Sequence, residues 1–379
     1  NRMFGTLLSD EDLINVGIGP SLSVSKSPAG YIKPDVTFKD NLNVNIAGIE
    51  FELFHAPGET NDQIFVWLPK HKTLMPGDNI YKTFPNLYTI RGTTHRDVAG
   101  WINSLDHMKT FDAEFLFPSH TKPIIGKENI KEVLETYRDA IQYIHDQTIR
   151  LMNEGLYPDE IADIIKLPED IEKSPYLYEF YGTVRWSVKS IFNGYLGWFN
   201  GNPSELDPLS RKDRANRISK LSGGDEKLLE QLRNAVDSND MQWALELSDH
   251  LIVLDYFVDE VKQLRKEALI YEAVRSSNPN KRNYFLTSAL ELDEDFNATI
   301  LIERSDQLLE QMSIHTFFDV LSVRLNPDKV NEDQLVCFIF SSGIIKNIHI
   351  RNKVAVVSEK VQQNCDIEVI ADEIEFKRI

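Results

Sequence analysis

The chain has 379 residues and a formal charge of −18 at pH 7, with 42% hydrophobic and 26% charged residues. That length suits two or three domains with ordinary cores, and the acidic balance argues against a general nucleic-acid binder, which needs a basic footprint. Two cysteines, Cys337 and Cys365, make no disulfide framework and no zinc-thiolate site, though they leave one disulfide open. No apolar run reaches the ~18 residues of a membrane span. The chain opens on Asn1 with no visible leader, so periplasmic or secreted and cytoplasmic locations both stay open.

Residues 1–125 read as mixed α/β. "VNIAGIEFELFHA" alternates as one half-buried strand, "DQIFVWLP" is a second and "HKTLMPGD" holds a short third. "THRDVAGWINSLDHMKT" predicts a helix capped by Thr93 or Thr94, with Val98, Trp101, Ile102 and Leu105 on one face. "AEFLFPSH" is a further strand ending in a turn. Strands alternating with helices imply a layered α/β domain with its chemistry on the loops that leave the strands.

After Gly126 a long helical pattern runs to Gly155, and the chain stays mostly helical to about residue 300. "LLEQLRNAVDSND", "QWALELSDHLIVLD" and "YFLTSALELDEDF" suggest stacked helix pairs of the tetratricopeptide type. From residue 301 the tail reads as a small α+β unit. "FFDVLSVRL" is its helix; "QLVCFIFSSGIIKNIHIRNKVAVVSE" and "CDIEVIADEIEFKRI" are antiparallel strands, with no closing helix.

The nine histidines (55, 71, 95, 107, 120, 145, 250, 315, 349) form no HxH, HxxxH or HExxH string, so no self-contained metal motif exists by spacing. What remains is Glu59 after "HAPG", Asp78 after "MPG" and His120 in "FPSHTKP". Each follows an apolar strand and lies in a turn. Three such donors at neighbouring strand ends can converge on one sheet edge and supply half of a dinuclear Zn²⁺ site. Taken singly, each also reads as an ordinary exposed strand-end residue, and Arg91 as a surface ion-pair partner.

"HAPGET" resembles the strand-turn motif of the metallo-β-lactamase superfamily, with glutamate where most members place a histidine. "PGETNDQIFVWLP", "GDNIYKTFPNLYTIRGTTHRD", "WINSLD", "FPSHTKP", "YGTVRWSVKSIFNGYLGWFNGNPSELDPL" and "RNYFLTSALEL", in this order, resemble the alkyl sulfatases that hydrolyse dodecyl sulfate and related linear esters. The resemblance implies the C-terminal half of a metallo-β-lactamase αββα domain over 1–125, a helical dimerisation domain over 126–300 and a sterol-carrier-like α+β tail over 301–379. It further implies two Zn²⁺ per complete chain, a homodimer and a linear alkyl sulfate substrate.

By position, Glu59 and His120 fall on metal ligands, Asp78 on a ligand that is glutamate in other members, and Arg91 on the arginine that holds the sulfate. Tyr195 is a further sulfate-side contact, or a helix core aromatic. The family's His-x-His-x-Asp-His string is expected upstream of Asn1, and without it the remaining carboxylates should repel each other and raise at least one pKa. Attack at sulfur would expel an alkoxide and need a general acid, whereas attack at carbon would release sulfate and need none. Two other readings stay open: another hydrolase of this fold, acting on a phosphate ester or thioester, and a non-enzymatic lipid-binding or scaffold protein with a vestigial half-site.

Overall fold

The computed structural model describes residues 2–20, 32, 34–296, 310, 312–360 and 364–378. The chain forms two compact units, Asn1–Leu22 with Phe38–Ala298, and Ser23–Thr37 with Thr299–Ile379. The expected boundary between residues 300 and 301 lies outside the described residues.

In the first unit, β1 (Asn41–Ile46), β2 (Ile49–His55), β3 (Ile64–Leu68), β4 (Thr73–Met75), β5 (Phe115–Leu116) and β6 (Ile124–Ile125) form one sheet in that order. Neighbours are antiparallel except β4 and β5. These two are parallel because helix α1 (Val98–Met108) lies in the crossover between them. The segment expected as a single strand over "VNIAGIEFELFHA" is instead a hairpin. Ile46 faces Ile49, and Ala47 and Gly48 both take positive φ (51° and 84°), as a two-residue primed turn requires.

Helix α1 is capped by Asp97, whose carboxylate accepts from the Gly100 amide at 2.9 Å, and not by Thr93 or Thr94. Its expected apolar face is buried. Helix α2 (Lys127–Asn153) carries Ile130, Leu134, Tyr137, Ile141 and Ile144 on one stripe. That stripe shares a core with Phe65, Leu74, Trp101 and Leu105, and with α3 (Pro158–Ile164) and α5 (Val184–Leu196); the short α4 (Glu169–Glu172) lies between these two in the chain. The first core therefore runs across residue 126.

A second core belongs to α7 (Asp225–Asp237), α8 (Met241–Val253), α9 (Val258–Arg275) and α10 (Pro279–Leu290), each packed on the next, with α6 (Arg211–Ser222) against α7 and α8. The N-terminal segment docks on α10: Arg2 pairs with Glu291 at 2.7 Å, and Asn283 donates to the Asn15 carbonyl at 2.8 Å.

The second unit holds α11 (Ile314–Ser322), a four-stranded sheet and α12 (Glu373–Arg378). Its strands, β7 (Gln334–Phe340), β8 (Ile345–Arg351), β9 (Val354–Ser358) and β10 (Ile367–Ala371), stand in the order β10-β7-β8-β9. Two sequence expectations are corrected here. β10 pairs with β7 in parallel, because it arrives by a longer connection on the free edge of β7. The chain then closes in a helix: the Asp372 carboxylate accepts from the amides of Ile374 (2.9 Å) and Glu375 (3.2 Å), ending the strand and starting α12. The two cysteines form a disulfide, Cys337–Cys365, across 28 residues.

Candidate active site

The site is built where β2 and β4 end. The turn Ala56–Glu59 after β2 is held by Asn79, which is fully buried in the turn after β4. The Asn79 amide oxygen accepts from the Glu59 N–H at 3.1 Å, and its amide nitrogen donates to the Ala56 carbonyl at 2.8 Å. Its own carbonyl accepts from the Trp101 indole at 3.1 Å, which ties both turns to α1. Gly58 must lack a side chain: a Cβ there would lie 2.1 Å from the Asn79 amide oxygen. Asn79 thus places Glu59 and Asp78 on one side of the sheet edge. The turn after β5 joins them through the Ser119 amide, which donates to the Gly77 carbonyl at 3.3 Å.

Asp78 Oδ1 is buried, has no hydrogen-bond partner among the described residues and lies 3.6 Å from His120 Nε2. A carboxylate oxygen left unpaired and facing an imidazole suits a divalent cation bound between them. Glu59, 8% exposed, instead pairs with Arg96, whose Nη2 donates to Glu59 Oε1 at 3.2 Å. Among the described residues no group of three His, Cys, Asp or Glu side chains closes to metal-binding distance. The donor set, two carboxylates and an imidazole, matches Zn²⁺ chemistry; two of its members already face each other and the third is turned to an arginine.

The Glu59 carboxyl is pushed above the ordinary carboxylate range, chiefly by burial. Arg96 opposes this, and Asp78 adds to it. Repulsion between the two acids, expected from the sequence as the cause, is therefore secondary to desolvation. Burial likewise drives the Tyr81 phenol well above its usual value, with the Glu59 charge adding to the shift.

Arg91 is exposed. Its guanidinium donates to Thr89 Oγ1 at 2.9 Å and lies over the Phe4 ring at 5.4 Å, and among the described residues no carboxylate pairs with it. It is near enough for its charge to lower the Glu59 pKa. Tyr195 lies on a different element. It is 53% exposed near the end of α5, and its hydroxyl bonds His145 Nε2 at 2.7 Å.

Three residues at the site carry no motif that reading the sequence singles out: Asn79, Arg96 and Asn86. Asn86 is fully buried and both polar atoms of its amide are unpartnered. This amide stands beside the Tyr181 phenol in the segment leading to Arg91, and a buried amide so weakly satisfied is uncommon. The only sequence signal for the two asparagines is their place directly after strand-end or Phe-Pro turns.

Residues 6–120 match the metallo-beta-lactamase superfamily, a span that holds Glu59 and Asp78 and ends on His120. Residues 157–295 match the alkyl sulfatase dimerisation family. Over most of its length the chain is similar to alkylsulfatases. Among curated alkylsulfatases, a linear primary-alkylsulfatase of a Pseudomonas species is 38% identical over 345 residues, 88% of this chain and 65% of that protein. A Pseudomonas (R)-specific secondary-alkylsulfatase is 30% identical over 300 residues, 77% of this chain and 44% of that protein. The solved structure of the stereoselective inverting sec-alkylsulfatase Pisa1 from Pseudomonas superposes with a TM-score of 0.88 at 25% identity, over 100% of this chain and 61% of that one. The chain thus spans less than two thirds of the length of each alkylsulfatase compared. Its fold is theirs: a metallo-β-lactamase layer followed by a helical dimerisation region.

Proposed function

We propose that this chain carries one half of the site of a zinc-dependent alkylsulfatase, which hydrolyses linear alkyl sulfate esters such as dodecyl sulfate to alcohol and inorganic sulfate. The observation that carries this reading is the unpartnered, buried oxygen of Asp78 facing His120, with Glu59 held beside them by Asn79. Asp78, His120 and Glu59 are the ligands this chain would offer to two Zn²⁺ ions. A His-x-His-x-Asp-His string elsewhere in the complete protein would supply the rest. When bound, Zn²⁺ lowers the pKa of a water towards neutrality and offsets charge on the reacting ester.

The chain's own residues then have separable tasks. Arg91, a cation without a carboxylate partner among the described residues, receives the sulfate by paired hydrogen bonds, which a planar guanidinium donates better than an ammonium. The Asn86 amide, buried and weakly satisfied, offers a second donor along the same segment. Thr89 bonds the Arg91 guanidinium and donates to Met3 Sδ at 2.9 Å, so the arginine is oriented before substrate arrives. In this reading 1–125 is the catalytic half-domain, the helices to about residue 300 form a homodimer contact, and the C-terminal unit is a sterol-carrier-like module for the alkyl chain. Each buried CH₂ of that chain contributes roughly 0.8 kcal/mol, which sets a chain-length preference.

Metal analysis and turnover of the full-length protein test the proposal. We expect about two Zn per chain by the ligand logic of dinuclear sites, lost with Glu59→Ala and His120→Ala. Arg91→Ala should keep its zinc and lose about 100-fold or more in turnover. Zinc-free protein that still hydrolyses dodecyl sulfate sinks the reading, as does faster turnover of a phosphate ester or acyl thioester.

A further inference from the structure

Arg96 is not part of the ligand set proposed above, yet its pair with Glu59 is, among the described residues, the one salt bridge with both side chains under a tenth exposed, at 4% and 9%. A buried ion pair is expensive to form, so its persistence calls for a role beyond attraction between the two charges. The geometry supplies one. Nη2 of Arg96 donates to Glu59 Oε1 at 3.2 Å, and Nη1 donates to the backbone carbonyl of Asn86. One planar guanidinium therefore spans two loops. The first follows β2 and carries Glu59; the second carries Asn86 and leads to Arg91. The fork is rigid, so the two bonds fix the spacing of the loops, which an ammonium on a flexible stem cannot do.

We propose that Arg96 is a positioning residue for the sulfate-ester reaction. It anchors one oxygen of Glu59 and locks the segment that carries the sulfate donors to the metal side of the site. Zinc affinity and sulfate binding are coupled through it. This rests on the alkylsulfatase reading above. A merely structural arginine, placed one residue before the Asp97 cap of α1, would lower the melting temperature on replacement and leave zinc affinity and KM alone.

The test uses the full-length protein with Arg96→Gln and Arg96→Lys, read by chelator competition for Zn²⁺ and by KM and kcat on dodecyl sulfate. Arg96→Gln should weaken zinc by about 10- to 100-fold, as loss of an outer partner of a metal ligand does, and should raise KM. Arg96→Lys keeps a cation for Glu59 and cannot also hold the Asn86 carbonyl. It should recover most of the zinc affinity while KM stays raised. A folded Arg96→Gln protein with wild-type zinc affinity and KM overturns the proposal. If Arg96→Gln does not fold, Arg96→Lys decides alone: a wild-type KM overturns it, and a raised KM at near wild-type zinc affinity supports it. Wild-type zinc content and turnover report on the alkylsulfatase reading; only the contrast between the variants and wild type reports on Arg96.

Discussion

The strand-end loops between residues 55 and 96 and the helices α7–α9 bury their side chains for different ends. The loops bury polar groups: Glu59, Asn79, Asn86, Thr89 and Arg96 are all under a tenth exposed. The helices bury Leu228, Leu229, Leu232, Leu245, Leu251, Val261 and Leu269 in an almost wholly apolar core. Apolar burial stabilises in proportion to area and tolerates many sequences of the right pattern. Polar burial costs free energy unless each group is paired. It is kept where it sets the position of a group, and in the loops some of it remains unpaired, at Asp78 and Asn86. The contrast separates a region that makes the fold durable from one that aims side chains.

Three substitutions bear on that contrast. Asn79→Ala should have the largest effect, because it acts on both sides. It leaves the Glu59 N–H and the Ala56 carbonyl buried without partners, at about 1–3 kcal/mol each. It also frees the turn that aims Glu59, so zinc affinity should fall with stability. Retention of wild-type zinc affinity by the folded variant, in the same chelator competition, would break the comparison. Leu232→Ala, at a fully buried position of α7, should cost about 2–5 kcal/mol in denaturant unfolding. Zinc bound per folded chain should not change, and a loss of zinc there would join the helices to the site.

Tyr195→Phe should matter least. The bond to His145 is exposed, so its loss should cost less than about 1 kcal/mol. Any rise in KM for dodecyl sulfate should be smaller than that of Arg91→Ala. A rise as large would bring the end of α5 into the sulfate site.

Periodicity and turn chemistry made most elements of this protein readable from its residues alone. The stripe Ile130, Leu134, Tyr137, Ile141 and Ile144 can only be a helix with one buried face. The acids after "HAPG" and "MPG" and the histidine of "FPSH" stood out because each follows an apolar strand. Local pattern failed where partners decide. "VNIAGIE" alternates whether or not it folds back, and the hairpin depends on Ala47 accepting a left-handed backbone. The direction of β10 depends on which edge of β7 is free, and α12 on Asp372 turning its carboxylate to the next amides.

The same division holds at the site. Residue types with metal and anion chemistry are visible in one dimension, because their chemistry belongs to the side chain itself. That Asn79 joins two turns, that Glu59 is charge-paired with Arg96, and that Tyr195 is occupied by His145 belongs to the tertiary structure alone. These contacts link residues 20, 37 and 50 positions apart. A hydrogen bond or ion pair exists only when the packed core brings its two ends within about 3 Å.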